Sequence, residues 1–409
     1  IVFGDWSSDV CSSDLLLALE RFAEQLAQGL KEEGFSGLTW ETIYEIGHEA
    51  PMPALHYHIG RGIRMADPTA KLMGPATWPG WTVEERFVKP YLAKYGPDLL
   101  DYVSVHWYAT NEHGLWARDF TPGETILTMA DRDWLECVME TAPKFPVWCA
   151  SLRKLLDDPI LNPTGRHIGI VYSEYDANAH SAYLRGPDNV DWPAYRADAD
   201  PYVNTNYFGG VWNAAVVLGL ASSGQCEAAL KFTTRNYYGI VENKDDSTYF
   251  PTPLWFAWRL LQQEGGLVPG ARVVAGAVTG PLDTAAERVE GINSPWVQVW
   301  GITEESGQRL VVLNRSLDSQ PVTVRLTGLS EGQWKVTRFV YDQARTAPFI
   351  GRKPGTTNDG QFQWQGEGDS GKCLEQVDEL PMKLTEYGAE FDLTLGPISF
   401  QVLKLEPGI

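Results

Sequence analysis

Two glutamates close strand-like runs in this sequence, and their neighbours suit both to proton and nucleophile chemistry. Glu49 ends TWETIYEIGHE, residues 39 to 49, where Tyr44-Glu45-Ile46-Gly47-His48-Glu49 sets a carboxyl beside an imidazole. Glu174 ends the β-branched run from Ile168 and stands between two phenols in Tyr172-Ser173-Glu174-Tyr175. In a parallel barrel, the carboxyl ends of the strands are where reacting groups converge. Two carboxyls in unlike environments can divide acid and base roles, because burial and mutual repulsion drive their proton affinities apart. A solvent-facing loop carboxylate is the plain alternative for either residue.

Other side chains admit two readings. His106, in Tyr102-Val103-Ser104-Val105-His106-Trp107-Tyr108, is either a packed strand-end imidazole or a hydrogen-bond donor toward a ligand or Glu174. Tyr108 and Tyr175 either orient a nucleophile or simply pack. His56 and His58 are two apart, a spacing that does not share a helix face, which argues against a metal pair. Trp78 and Trp81 form either a stacking platform for a sugar or an apolar loop plug. Asp67 and Asp176 read as structural.

The elements that would carry these residues alternate between strand and helix. Leu19, Phe22, Ala23, Leu26 and Leu30 recur at three and four residue intervals, as one face of an amphipathic helix does, and Gly34 stops it. After the run 39 to 49, helical stretches near 52–66, 84–95, 205–223 and 254–263 separate apolar runs at 70–74, 102–108, 168–174 and 229–233. Five strands with long returns predict a parallel α/β sheet. Residues 109–166 exceed an ordinary loop and should hold their own helices. Beyond Pro269 the period changes to two, in WVQVWGI, QRLVVLNRS, PVTVRLTGL, QWKVTRFVY, AEFDLTL and ISFQVLKLE, which predicts an antiparallel sandwich. The boundary falls near residue 268, giving an α/β domain over 16–268 and a β-sandwich over 269–409. Trp296, Trp300, Trp334 and Trp364 of the latter read as core, and its role as structural.

Composition limits the partners. Lys+Arg 33 against Asp+Glu 53 leaves a net charge of -20, which repels a phosphate backbone and argues against nucleic acid. No apolar run approaches the ~18 residues of a membrane span, so no membrane partner is expected. The 5 cysteines form no CxxC pair and lie beside no ligand-spaced histidines, so neither a zinc site nor a dense disulfide framework is indicated; no metal or cofactor is expected. The 16 tryptophans suit the apolar faces of sugars, although burial alone explains many of them. Residues 1–15, IVFGDWSSDVCSSDL, have neither period, contain a near repeat and resemble a translated sequencing adapter. They are set aside from the fold.

WETIYEIGHE, DPTAKLMGP, DYVSVHWY and GIVYSEYDAN, followed by a helix, a strand and a sandwich, resemble the retaining glycoside hydrolases of clan A. The likeness is to the β-xylosidase and α-L-arabinofuranosidase families, which pair a (β/α)₈ barrel with a β-sandwich. It spans most of residues 16–409, while its sharp motifs amount to about twenty positions. The resemblance implies a carbohydrate substrate, Glu49 as acid/base at the end of strand four, and Glu174 as nucleophile at the end of strand seven. It places His48, His106, Trp107, Tyr108 and Tyr175 around the sugar. His48 stands where asparagine is usual, though an imidazole can still donate to a sugar hydroxyl. Phe232-Thr233-Thr234-Arg235 occupies the region where strand eight often ends in Trp. Retention requires the two carboxyls about 5 to 5.5 Å apart, so Glu49 and Glu174 are expected within roughly 4 to 7 Å. The alternatives are a catalytically inactive carbohydrate-binding relative and metal-assisted hydrolysis, the latter needing His and Asp at several strand ends. Only 48 residues precede Glu49, whereas three strand-helix units need on the order of 90. A partial barrel of five strands, corresponding to strands four to eight and open near residues 43 and 230, is therefore expected, with activity belonging to a longer parent.

Overall fold

The structure is a computed structural model that describes residues 13–47, 50–111, 114–115, 138–178, 207–234, 240–243, 249–279, 294–304, 307–327, 334–346, 370–385 and 388–407. Its contacts divide the chain into two compact units, residues 1–107, 147–175 and 224–231 in one, and 108–146, 176–223 and 232–409 in the other.

A parallel, curled half-barrel sheet organises the first unit. Its strands are Thr39–Glu41 (β1), Lys71–Thr77 (β2), Tyr102–Asn111 (β3), with Gly114–Leu115 (β4) turning back on the end of β3, then Gly169–Asn178 (β5) and Ala228–Lys231 (β6). The order across the sheet is β1-β2-β3-β5-β6, and β1 with β2, β2 with β3 and β5 with β6 pair in parallel register. Five strands are thus aligned as the alternating pattern predicts, because each parallel neighbour needs a long return.

The returns are helices. Ser13–Glu32 packs on Met52–Ala66 through Ala23, Ala27, Ile63 and Ala66, with Ala70 and Leu72 beneath. The helices cross closely at Gly62, where a Cβ would lie 2.1 Å from the carbonyl oxygen of Glu20, so any side chain there would push them apart. Glu20 is buried at the same crossing and accepts from His58 Nδ1 at 2.8 Å and Arg61 Nη2 at 2.6 Å. The first helix begins at Ser13 and so takes in the last residues of the adapter-like segment. Trp81–Val83, a π-turn over Glu84–Val88, and Lys89–Tyr95 follow one another between β2 and β3. The helix Lys144–Leu156 precedes β5, as the length of the 109–166 stretch predicts.

Asp101 ties the starts of three strands together. Its carboxylate accepts from the Leu72 amide at 2.8 Å and pairs with Arg64 and Arg166, each at 2.6 Å. Its own amide donates to Leu72 O and its carbonyl accepts from Gly169 N. With only 7% of Asp101 exposed, this is a desolvated carboxylate satisfied by two guanidinium groups and a main-chain donor.

The run 39–49 forms a shorter strand than its sequence predicts. Only Thr39–Glu41 pairs in regular register, after which Thr42 N donates to Met73 O and Glu45 N to Ala76 O. Pro75 lies between those acceptors and has no N–H with which to continue the ladder.

In the second unit, Val241–Asn243 (β7) and Tyr249–Pro251 (β8) form a hairpin. There follow Arg272–Ala275 (β9), Val297–Glu304 (β10), Gly307–Asn314 (β11), Gln320–Leu326 (β12), Trp334–Tyr341 (β13), Asp378–Leu380 (β14), Lys383–Thr385 (β15), Gly388–Leu395 (β16) and Ser399–Pro407 (β17). They make two antiparallel sheets, β14-β13-β17-β11-β10-β9 and β12-β16-β15. Alternate residues of both, including Leu310, Val312, Val324, Val336, Phe391, Leu393 and Leu405, share one core, as the period of two requires. Trp300 is buried, Trp334 packs against this core, and Trp296 lies under the guanidinium of Arg315, whereas Trp364 lies outside the described residues. Arg315 is wholly buried and donates to Met139 O, Ser294 Oγ and Pro295 O. The helices Tyr207–Ser223 and Pro253–Gln263 belong to the same unit. Gly210 of the first meets the Tyr341 hydroxyl, which donates to Pro253 O at 2.9 Å.

His56 gives the first unit a pH dependence. It is fully buried between Thr42 Oγ1 at 2.6 Å and Leu99 O at 2.8 Å, with Phe87 and Tyr91 edge-on to the ring. Burial lowers its pKa to about 4, against the opposing pull of the Leu99 carbonyl and Asp101. Between the unfolded value of about 6.5 and that folded value, only the unfolded chain binds the proton, so stability is full above about 6.5 and falls as pH drops toward 4. The loss is about 3 kcal/mol for this one group. Denaturant unfolding at pH 7 and pH 4.5 should show it, and His56→Asn should remove this share of the slope; an unchanged slope in that variant would contradict the assignment.

Candidate active site

The stretch after β1 and the middles of β3 and β5 collect a phenol, two carboxylates and an imidazole. Tyr44 donates its hydroxyl to Glu174 Oε1 at 2.7 Å. His106 Nδ1 lies 2.7 Å from Glu45 Oε1 and 3.7 Å from Glu174 Oε2. A carboxylate only accepts, so Nδ1 is the donating nitrogen of the Glu45 pair. The Tyr44 ring meets the imidazole edge-on, with centroids 5.0 Å apart. His106 is completely buried, the Glu174 side chain is 13% exposed and that of Glu45 36%, so accessibility rises from the imidazole outward.

Strand irregularities aim these groups. Tyr172 of β5 faces the helix layer, where its ring stacks with Trp107 at 6.1 Å and meets Trp148 at 5.9 Å. Strict alternation would send Glu174, two residues on, to that same layer. The register prevents this, because Tyr172 pairs with Ala229 and Tyr175 with Lys231, so three steps on β5 match two on β6. The extra residue is a β-bulge that reverses the phase and turns Glu174 toward His106. A second irregularity lies between Pro75 and Thr77 of β2, opposite Ser104 and Val105. There Ala76 has φ of 49°, its amide donates to Ser104 Oγ at 3.1 Å, and its carbonyl receives the Glu45 amide. Glu45 itself has φ of 44°, a left-handed conformation that is costly for a side chain with a Cβ and common around functional sites.

Of the residues singled out in the sequence, the structure brings His106 and Glu174 together. His48 and Glu49 lie outside the described residues, and with them the expected carboxyl separation. Trp107, next to His106, is turned to the opposite face of β3 and packs edge-on against Trp148. Tyr175 is wholly buried beyond the bulge. Tyr108 belongs to the second unit, where it is 5% exposed and edge-on to Phe232. Trp81 is 61% exposed, with Arg86 over its ring. Asp176 is buried and accepts from the Ala177 amide; Asp67 accepts from the Thr69 hydroxyl and from the Gly37 and Thr69 amides, and these bonds, the hydroxyl's foremost, hold its carboxyl below the usual range.

Tyr44 and Glu45 are the members that residue spacing did not single out. Both lie in the run containing Glu49, and the available signal was a second carboxylate four residues before the first. Among the described residues, Glu45, His106 and Glu174 are also the one group able to hold a metal ion, with donor atoms all within 4.8 Å of one another.

No family model matches the sequence, and no curated protein matches it. In fold the chain is similar to clan A glycoside hydrolases built on TIM barrels, at low sequence identity. A family 51 α-L-arabinofuranosidase, AbfB of Bifidobacterium longum, aligns with a TM-score of 0.58 and 14% identity over 88% of this chain and 64% of its own. A family 39 glycoside hydrolase of Bacteroides cellulosilyticus WH2 gives 0.54 and 12% over 97% of this chain and 63% of its own. CelM2, a bifunctional glucanase-xylanase from a metagenome library, gives 0.51 and 13% over 95% and 69%. The chain therefore spans just under two thirds of the arabinofuranosidase and of the family 39 enzyme.

Although Tyr44 as a whole is 56% exposed, partial desolvation and then the Glu174 hydrogen bond and charge push its phenol above its ordinary pKa, so it remains a donor throughout the range in which carboxylates are ionised. Glu174→Gln removes the anion and should let Tyr44 ionise closer to the ordinary value of 10.0. A tyrosinate difference spectrum between the two proteins above pH 10 reads this, and superimposable alkaline titrations would show that Tyr44 does not rest on Glu174.

Proposed function

We propose that the protein is a retaining glycoside hydrolase, cleaving glycosidic bonds of a plant or algal polysaccharide or oligosaccharide, with Glu174 as nucleophile and Glu49 as acid/base. The observation that carries this reading is the placement of Glu174: a largely buried carboxylate within the parallel strand β5, turned out of the helix layer by a bulge and held by the Tyr44 hydroxyl. Oε1 accepts that bond, which fixes the carboxylate plane and leaves the carboxylate as the attacking group. It adds to the anomeric carbon as the leaving oxygen departs, forming a glycosyl-enzyme. Glu49 protonates the leaving oxygen and then takes a proton from water, which releases the sugar with its configuration retained. His106, donating to Glu45 and standing 3.7 Å from Glu174, keeps the two anions from facing each other unscreened. The fold shared with clan A enzymes supports the same chemistry.

Glu45 gives a specific second reading for the proton donor, because it is the described carboxylate whose oxygen lies within 4.8 Å of a Glu174 oxygen, close to the separation retention needs. The assignment to Glu49 rests on the resemblance of its motif.

Release of aryl groups from a panel of xylosides, arabinofuranosides, glucosides and galactosides tests the activity and names the sugar. Glu174→Gln should lower kcat by about 10⁴-fold or more on every leaving group, since no nucleophile remains. Glu49→Gln should lose about 10²- to 10⁴-fold on poor leaving groups and little on activated ones, with azide restoring turnover. If Glu45→Gln shows that pattern and Glu49→Gln does not, the donor is Glu45; full activity of Glu174→Gln overturns the mechanism. Dialysis against EDTA should leave turnover unchanged, and loss restored by a divalent cation would replace this chemistry with metal-assisted hydrolysis at Glu45, His106 and Glu174.

A further inference from the structure

The turn after β2 carries an exposed tryptophan that the chemistry above does not use. β2 ends at Thr77, which pairs with Val105, one residue before His106. Because the two strands are parallel, the chain leaves β2 in the direction in which β3 passes through His106. Trp78-Pro79-Gly80-Trp81 follows at once, and Trp81 opens the helical stretch that continues through Lys89–Tyr95. Four Cα steps of about 3.8 Å keep its Cα within about 15 Å of that of Thr77. Trp81 therefore stands on the side of the sheet toward which Tyr44, Glu45, His106 and Glu174 gather.

The turn fixes the ring and leaves it in water. Pro79 has a restricted φ, and Gly80 takes φ of 79°, which favours glycine and directs the chain into the helix. Thr82 and Val83 are buried, and Glu84 accepts from Trp148 Nε1 at 3.0 Å, so the start of the helix is tied to the aromatic layer behind β5. Trp81 is nevertheless 61% exposed, whereas Trp78 of the same turn is half-buried. The Arg86 guanidinium lies over the Trp81 ring, 5.5 Å from its centroid. Residues five apart on a regular α-helix point about 140° apart, and the π-turn over Glu84–Val88 swings Arg86 back toward Trp81. With one face of the indole under Arg86, its exposure belongs to the opposite face and the edge.

We propose that Trp81 is a stacking platform for a sugar ring of a polymeric substrate, away from the bond that is cleaved, with Arg86 holding the indole from behind. This rests on the glycosidase reading and makes the substrate an oligo- or polysaccharide bound at more than one ring, not a small glycoside. A sugar ring has an apolar face of C–H groups that covers an indole while its hydroxyls stay in water. The indole is already set by the turn and by Arg86, so little freedom is lost on binding. An apolar plug is covered by its own chain, and in this turn Trp78 is the more covered of the two. A protein partner needs a broad apolar patch, whereas Trp81 is followed on the same helical stretch by charged Glu85, Arg86 and Lys89, of which Glu85 and Lys89 pair with each other.

Calorimetric titration of the Glu174→Gln chain with the hexaoses of xylose, arabinose, glucose and galactose tests this. On that background Trp81→Ala should weaken the hexaose that binds by about tenfold, and Trp81→Phe, which keeps an aromatic face, by less than about threefold. Oxidation of exposed indoles by N-bromosuccinimide, read by peptide mapping, should strike Trp81 in the free chain and spare it when that hexaose is bound; this holds the proposal to account even if a variant folds poorly. Equal affinity of Trp81→Ala and its parent, oxidation of Trp81 unchanged by the sugar, or no binding of any of the four hexaoses would overturn the platform. Aryl-glycoside release by the unsubstituted chain separates this from the reading on which it rests. Release without a Trp81 effect removes the platform alone, and hexaose binding that depends on Trp81 without release removes the hydrolysis alone.

Discussion

Burial of the Asp101 carboxylate is the interaction on which the parallel sheet depends. A carboxylate with so little water around it must be satisfied by the protein, and the partners it finds come from the helix Met52–Ala66, from β2 and from the approach to β5. Removing Asp101 itself would strip Arg64 and Arg166 of their shared partner, and breaking a buried pair costs on the order of 3 to 5 kcal/mol. Satisfying all of them aligns β2, β3 and β5 at their amino ends. That alignment leaves the opposite ends free to deviate, and both described bulges lie there.

The deviations carry the chemistry. A parallel strand with perfect alternation would commit Tyr172 and Glu174 to the same side, and the side of Tyr172 is already decided by Trp107 and Trp148. Each such aromatic contact contributes about 0.5 to 1.5 kcal/mol beyond its burial, enough to hold the phase of β5 up to Tyr172. One additional residue then releases Glu174 from that phase. Packing and function are thus separated by a single residue.

This accounts for what could and could not be read in the sequence. Apolar spacing at three and four predicted the first helix but not its buried face, since Phe22 and Leu26 of the expected stripe are exposed and Ala27 packs beside Ala23 instead; a period of two predicted the strands that carry Leu310, Val312, Leu403 and Leu405. Glu174 and His106 were recognisable because each sits at the end of a β-branched run. Tyr44 and Glu45 were not, because placing them requires knowing that Pro75 interrupts the ladder and that β2 gains a residue at Ala76. A bulge has no composition of its own. It appears only as a mismatch of register between two strands, and one sequence contains no register. The resemblance set Trp107 around the sugar beside His106, whereas strand alternation turns it to the opposite face, against Trp148 and Tyr172.

The interleaving of the two units has a consequence for synthesis. The chain passes between them five times, and the last piece of the parallel sheet, residues 224–231, lies 117 residues beyond Trp107. At about 5 to 20 residues per second, the ribosome needs roughly 6 to 23 s to deliver it. Through that interval the sheet ends first at β3 and, once residues 169–178 are made, at β5, until β6 completes it. The nascent chain therefore carries an unfinished strand edge for far longer than the microseconds in which local helices and hairpins form.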